Sequence, residues 1–262
     1  MAAPEIRTPP VPPSGRRPRA RWATARLCAL VALAAAAIGA APAPLPARWH
    51  VVLVAGDTAQ PVFDNAVRAL DLWLTAHGVP AADIHRLAAS AGPQDPAIEP
   101  ATLDRVLGRI ASLRPAPGDG CFVCITSHGA PRRGLYLSRA DEMLRPAPLA
   151  RALDAGCGAA PTVVVVSSCY SGAFARPPVA AANRIVLTAA RADRPSFGCA
   201  AERTYTVYDS CLLGALPHAA TWGAAFGEIR RCVELHEREL GAAPSFPQAS
   251  FGAALRRLKL QF

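Results

Sequence analysis

The sequence predicts an α/β domain in which helices cover both faces of a mostly parallel β-sheet. Residues 49–55, 121–126 and 162–166 are short, nearly continuous apolar runs rich in β-branched residues, as expected for buried strands. Segments with helical spacing of apolar residues separate these runs, which is the chain order of a parallel sheet. The 262 residues are 52% hydrophobic and 18% charged, enough for one domain with a sizeable core.

The remaining elements follow in order with short connections. The predicted strands are 49–55, 83–87, 121–126, 162–166 and 185–188, with a hairpin arm at 134–138. Each predicted helix has apolar residues at intervals of three or four, and these helices are 64–77, 101–113, 147–155, 207–216 and 219–240. We expect a loop over 90–100 and no long linker after residue 48.

The N-terminal part of the chain has the features of a targeting segment. Residues 1–43 are predicted to be a signal peptide with a basic, Pro- and Arg-rich start, and 44–48 a linker to the domain at 49–262. The apolar run at 27–41 is shorter than the roughly 20 residues that a bilayer-spanning helix needs. We therefore expect export to the periplasm or the medium, with an uncleaved membrane anchor as the alternative.

The charge balance argues against a nucleic-acid-binding domain. The net charge is +9, but six arginines and one glutamate place +5 of it in the first 26 residues. The excess left for the domain is too small to indicate a nucleic-acid partner. The sequence gives no oligomeric state, and contact with a membrane is expected only through the N-terminal segment.

Seven cysteines follow Cys28, and this odd number leaves at least one thiol unpaired within an exported chain. An oxidising compartment would allow the other six to pair. The C-x-x-C spacing of Cys121 and Cys124 lies inside an apolar run, so both are expected to be buried strand cysteines rather than a zinc or redox motif. No metal or organic cofactor is predicted.

Reactive side chains follow two of the predicted strands. One strand is followed by His128 and Gly129, and a later one by Cys169 and Gly172. Because reactive groups gather at the carboxyl ends of parallel strands, we expect the thiol and the imidazole to meet. A thiolate attacks carbonyl carbons, and an imidazole accepts its proton. The N–H groups of Gly129 and Cys169 are the candidate oxyanion hole, and Gly172 is expected to turn the chain after the nucleophile.

These segments resemble the legumain-type cysteine peptidases. The likeness lies in Cys121–Ser127 followed by His128-Gly129, and in Val163–Val166 followed by Ser167–Gly172. It runs in order from about 49 to 248, and segments 63–66 and 188–199 are similar to the bacterial branch of the family. The resemblance implies a caspase-like three-layer sandwich with a six-stranded, mostly parallel sheet. It also implies a cysteine endopeptidase, or a transpeptidase using the same acyl-enzyme, that acts on peptides or proteins with His128 as base and Cys169 as nucleophile.

The substrate pocket departs from the asparagine-specific members of that family. Asp64-Asn65 and Ser167 stand where those enzymes have an Arg-His pair and a glutamate, so asparagine specificity is not expected. If Asp64 lines the pocket, its carboxylate would select a basic side chain. The alternative is a helix N-terminal residue favoured by the macrodipole. Asp193 is predicted either to face the substrate groove or to form a turn.

Two other functions remain open from the residues. Cys169 would be the nucleophile of an α/β-hydrolase-like sheet if its histidine were His218 or His236, although the Gly-x-nucleophile-x-Gly frame is broken by Ser167 and Ser171. The chain could instead be a non-catalytic caspase-like binding module. Loss of activity on mutation of His128 would favour the legumain-type enzyme over the first, and thiol labelling at Cys169 would exclude the second.

Overall fold

A computed structural model describes residues 44–92, 95–200 and 202–262 of the chain. The predicted signal peptide lies outside these residues. The strands are β1 (Trp49–Ala55), β2 (Ile84–Ala88), β3 (Ile98–Pro100), β4 (Gly120–Thr126), β5 (Gly129–Ala130), β6 (Gly134–Leu137), β7 (Glu142–Leu144), β8 (Thr162–Ser167), β9 (Arg184–Thr188) and β10 (Gln248–Phe251). The helices are α1 (Val62–Ala76), α2 (Leu103–Ala111), α3 (Pro146–Gly156), α4 (Val207–Ala215) and α5 (Trp222–Glu239). Within the described residues, no helix is long and apolar enough to cross a bilayer.

The main sheet has seven strands in the order β10-β9-β8-β4-β1-β2-β3. All neighbouring pairs are parallel except β9 and β10. The mostly parallel sheet is confirmed, but the expected number of six strands is wrong. β3 and β10 were not predicted because three or four half-buried residues, one of them Pro100, carry no strand periodicity.

Helices pack on both faces of the sheet, as predicted. Alternate strand residues point to opposite faces. Val51, Phe122 and Val163 pack in one apolar core with α1, α4 and α5. Val52, Val123 and Val164 pack in the other core with α2 and α3. Because both faces are covered, the strand interiors are apolar throughout, which is why they could be recognised from composition.

The two ends of the described domain meet at the amino-terminal edge of the sheet. Trp49 begins β1, and its indole N–H donates to the carbonyl of Gln261 over 3.0 Å. The ring of Phe262 lies 5.0 Å from that of Trp49. The amino ends of the strands are thus closed by aromatic packing, and their carboxyl ends remain for other contacts.

Four cysteines form two disulfides in the described part of the chain, Cys121–Cys157 and Cys211–Cys232. Fewer cysteines pair than the six that an oxidising compartment would allow. The C-x-x-C spacing forms neither a redox pair nor a zinc site, because residues three apart on a strand point to opposite faces. Cys124 is a buried free thiol, and Cys169 and Cys199 are half-buried free thiols.

Candidate active site

The strand ends that carry His128 and Cys169 are neighbours in the sheet. β4 and β8 pair in parallel, with Thr126 beside Ser167, and the N–H of Ser127 donates to the carbonyl of Ser167 over 3.1 Å. His128 and Cys169 each follow two residues beyond this last pair. They therefore leave adjacent strands at the same edge, next to the point between β1 and β4 where the strand order reverses and ligands bind in such sheets.

Local contacts hold His128 in a half-buried position. Its ring packs edge-on against the ring of Phe63, with the centroids 5.1 Å apart. Its carbonyl accepts the N–H of Tyr136 over 2.9 Å, and the hydroxyl of Ser127 donates to the carbonyl of Tyr136 over 2.6 Å. The small sheet β5-β6-β7 begins directly after this histidine and so fixes its backbone. Its middle strand β6 confirms the predicted arm at 134–138.

The chain turns sharply after Cys169, but at Tyr170 and not at Gly172. Tyr170 has φ of 58°, in the left-handed region, and its N–H donates to the carbonyl of Arg194 over 2.8 Å. A Cβ on Gly172 would lie 2.6 Å from the nitrogen of Ala192, so this glycine permits close backbone packing instead. The left-handed residue therefore turns the chain directly after Cys169.

The sulfur of Cys169 contacts the segment that follows β9. The N–H of Ser196 donates to Cys169 Sγ over 3.3 Å, and the carbonyl of Ser196 lies 3.5 Å from the same sulfur. These two contacts hold the sulfur against the main chain of Ser196. Ser196 was not predicted from the sequence, because a contact between residues 27 positions apart has no periodic signal.

Gly129 packs directly on the backbone of Cys169. A methyl group at Gly129 would overlap the carbonyl oxygen of Cys169 and lie 3.0 Å from its carbonyl carbon. The same methyl would lie 3.1 Å from the hydroxyl of Ser168. The absence of a side chain therefore allows the two candidate N–H donors of the oxyanion hole to sit on touching segments.

Comparison with known proteins identifies the family. The model of the Peptidase C13 family matches residues 103–248, more than half of the chain. The chain belongs to the peptidase C13 family. This C13 protein, a member of the legumain family, is therefore a cysteine peptidase that acts on peptide or protein substrates. No curated protein matches the sequence.

The fold of this C13 peptidase is caspase-like. The crystal structure of caspase-1 from Spodoptera frugiperda superposes with a TM-score of 0.57 over 81% of this chain and 91% of that chain, at 12% identity. The predicted caspase-like sandwich is thus confirmed. Family and fold support the peptidase over the hydrolase-like and non-catalytic alternatives.

Two predicted substrate-binding residues of the C13 peptidase lie at the start of α1. Asp64 is half-buried and accepts the hydroxyl of Ser90 over 2.8 Å. Burial raises the pKa of Asp64 above its ordinary value, against the opposing effects of Ser90 and Arg86. The side-chain amide of Asn65 donates to the carbonyl of Thr204 over 3.1 Å. Both side chains thus connect α1 to neighbouring loops.

The other two predicted substrate-binding residues, Ser167 and Asp193, differ in burial and in their partners. Ser167 is 3% exposed, and its hydroxyl acts to lower the pKa of the nearby Asp209 carboxylate. Asp193 is largely exposed and pairs with Arg191, whose Nη2 lies 3.0 Å from it. The hydrogen bond from Arg191 lowers the pKa of Asp193. Ser167 is buried, Asp64 and Asn65 are half-buried and Asp193 is exposed. The substrate roles of all four residues stay predictions.

Asp209 was not singled out from the sequence, yet it lies beneath both strand ends. It is 2% exposed and accepts the hydroxyl of Thr126 over 2.7 Å. Thr206 caps α4, and its hydroxyl donates to the same carboxylate over 2.9 Å. The available signal was the Thr-x-x-Asp capping pattern followed by an apolar helix.

The free thiols differ in acidity. Burial raises the pKa of Cys124 well above that of an ordinary thiol. Burial and the nearby Cys169 raise the pKa of Cys199 to about 12. Neither Cys124 nor Cys199 therefore carries an appreciable thiolate fraction at neutral pH, and neither suits the role of nucleophile.

The described residues bring together one group of possible metal ligands, formed by Cys211, Cys232 and His236. The two sulfurs are joined in a disulfide, so they offer no thiolates to a metal. His236 bonds to Glu239 over 3.2 Å on the surface of α5. This group lies on α4 and α5, outside the candidate catalytic residues.

Proposed function

We propose that this C13 peptidase cleaves peptide bonds with Cys169 as nucleophile and His128 as general base. The single observation that carries the proposal is the pairing of β4 with β8, which starts both residues from adjacent positions of one sheet edge. Both side chains are half-buried and so retain contact with solvent. The family gives the reaction class, and this placement supports the assignment of the two groups.

The chemistry follows from the properties of the two groups. His128 takes the thiol proton, and the Cys169 thiolate attacks the scissile carbonyl carbon. The N–H groups of Gly129 and Cys169 donate to the oxyanion of the tetrahedral intermediate. His128 returns the proton to the leaving amine, and a thioester acyl-enzyme remains. Water then attacks the thioester carbonyl and releases the acid, whereas an amine in place of water would give transpeptidation.

Asp64 is proposed to select substrates with a basic residue before the scissile bond. Support comes from its neighbour Phe63, whose ring contacts His128 and places this turn of α1 beside the catalytic pair. A partly buried carboxylate attracts a guanidinium or ammonium group. Asn65, Ser167 and Asp193 remain proposed contributors to the same binding groove.

Export of the enzyme is also proposed. Support comes from the basic and apolar N-terminal sequence and from the two disulfides, which persist in oxidising compartments. Isolation of the native protein with its N-terminus mapped by mass spectrometry tests this proposal. A processed chain outside the cytoplasm is expected, and a full-length cytoplasmic chain with every thiol reduced would contradict export.

Site-directed variants test the dyad. The Cys169→Ala and His128→Ala variants should each lose nearly all cleavage of a peptide library, whereas Cys199→Ala and His218→Ala should retain activity. A thiol-directed peptide probe should label wild type but not Cys169→Ala. Added amine nucleophiles should reveal whether the acyl-enzyme also transfers to amines. Activity retained in Cys169→Ala, or lost in His218→Ala but not His128→Ala, would overturn the proposal.

A further inference from the structure

A single buried carboxylate lies against the two strand ends of the candidate active site. Asp209 is the third residue of α4 and accepts the hydroxyl of Thr126, the last residue of β4, over 2.7 Å. The hydroxyl of Ser167, the last residue of β8, faces the same carboxylate and acts to lower its pKa. Thr126 and Ser167 are paired across the two strands, so both hydroxyls point to the face that α4 covers.

Asp209 lies in surroundings that do not favour a carboxylate. It is 2% exposed, and its neighbours along α4 include buried Val207, Cys211 and Leu212. Within the described ranges, no arginine, lysine or histidine forms an ion pair with it. Hydroxyl groups and the amino-terminal end of α4 are left to offset the loss of hydration. A buried charge costs several kcal/mol that an apolar side chain would not. Helix packing alone therefore does not account for this residue.

The surroundings also leave no room for a substrate group at Asp209. The cavity beside it, lined by Cys124, Thr126 and Leu212 among others, has a volume of about 10 Å³. That is the space of about one water molecule. The side chain of a peptide substrate does not fit there, so the carboxylate acts on the protein's own groups.

We infer that Asp209 is a positioning residue, which holds the strand ends at the separation that His128 and Cys169 need for proton transfer. The inference rests on the proposed dyad. Asp209 accepts a hydrogen bond from Thr126, and Ser167 is paired with Thr126. Thr126 and Ser167 each lie two residues before a proposed catalytic group, so a displaced strand end would move that group directly. A misplacement of about 1 Å in reacting groups can cost about 100-fold in rate.

Two threonines provide a matched comparison. Thr126→Val and Thr206→Val each remove one hydroxyl from the same carboxylate, but only the first detaches a strand end. Thr126→Val should lower kcat by about 10- to 100-fold with KM and peptide preference unchanged. Thr206→Val removes a helix cap, so it should lower Tm and leave kcat within about twofold. Ser167→Ala should lower kcat as Thr126→Val does.

A second readout separates positioning from general destabilisation. The rate of Cys169 alkylation by iodoacetamide is measured against pH, well below Tm. If the imidazole takes the thiol proton, as the proposed dyad requires, wild type should still be alkylated at a pH where an isolated thiol no longer reacts. In Thr126→Val the profile should move towards that of an ordinary thiol, and in Thr206→Val it should not. Asp209→Asn, which keeps one carbonyl oxygen, should recover more activity than Asp209→Ala.

Three results would overturn the inference. One is an equal loss of kcat in the two threonine variants, in proportion to the loss of Tm. Another is an increase in KM or a changed peptide preference at unchanged kcat, which would make Asp209 a substrate contact. The third is a wild-type alkylation profile in Thr126→Val. Failure of the dyad itself is distinguishable, because wild type would then not be labelled at Cys169 by the peptide probe.

Discussion

Replacement of Gly129 by alanine should remove most of the peptidase activity while the fold survives. The added methyl group would overlap the carbonyl oxygen of Cys169 and lie 3.0 Å from the adjoining carbon. Both are main-chain atoms, so relief requires one of the two backbones to shift by about 1 Å, which costs about 100-fold in rate. The loss of one oxyanion donor costs about 10²- to 10³-fold. We therefore expect kcat to fall at least 100-fold, or about 2.7 kcal/mol of transition-state stabilisation.

The assay compares turnover with thiol reactivity. Steady-state cleavage of a peptide should give a reduced kcat for Gly129→Ala, while a small alkylating agent should still modify Cys169, because the thiol itself is intact. Gly108→Ala is the matched control, since a Cβ there meets no atom within 4 Å. That control, within α2, should be stabilised by about 0.5–1 kcal/mol and retain full activity. Wild-type kcat in a folded Gly129→Ala variant would refute the close packing and the oxyanion assignment together.

Further predictions concern thiols, disulfides and specificity. Iodoacetamide at pH 7 should modify Cys169 before Cys124 or Cys199, because burial raises the pKa of both and that of Cys199 reaches about 12; peptide mapping would contradict this if Cys199 were labelled equally. The two disulfides span 36 and 21 residues. Their reduction should lower the free energy of unfolding by about 3–4 kcal/mol each and Tm by about 10 °C or more. An unchanged melting curve on reduction would contradict the two disulfides. Asp64→Asn should abolish a preference for arginine or lysine before the scissile bond, with Asp104→Asn, a first-turn residue of α2, as control. Because the pKa of Asp64 is raised, that preference should be lost on acidification at a higher pH than for an ordinary aspartate. A wild-type cleavage profile in Asp64→Asn would show that Asp64 serves only the helix terminus.

The buried strands and the residues that follow them could be predicted from the sequence. Strands such as β4 and β8 are continuous apolar runs, and the composition of a doubly covered strand is sufficient to identify it. The residues that follow them could then be placed together, because parallel strands end at one edge. The resemblance to a family supplied the sandwich and the reaction class.

The features that escaped prediction all depend on contacts between distant parts of the chain. β10 is recognised only by its pairing with β9, and the partner of Cys121 is a cysteine beyond α3. Asp209 resembles an ordinary capping residue until Thr126 is placed beside it. The turn after the nucleophile was assigned to glycine by propensity, whereas Arg194 holds Tyr170 in the left-handed region. Tertiary contacts decide such positions.

The hydrogen bond between Trp49 and Gln261 at the amino-terminal edge determines where the enzyme can be attached to a support. β1 is seven residues long, and at 3.3 Å per residue a strand of this length separates the two edges by roughly 20 Å. A resin, surface or fusion partner tethered through either end of the domain therefore faces away from the edge that carries His128 and Cys169. Bulky protein substrates should reach an immobilised enzyme as readily as they reach the free one.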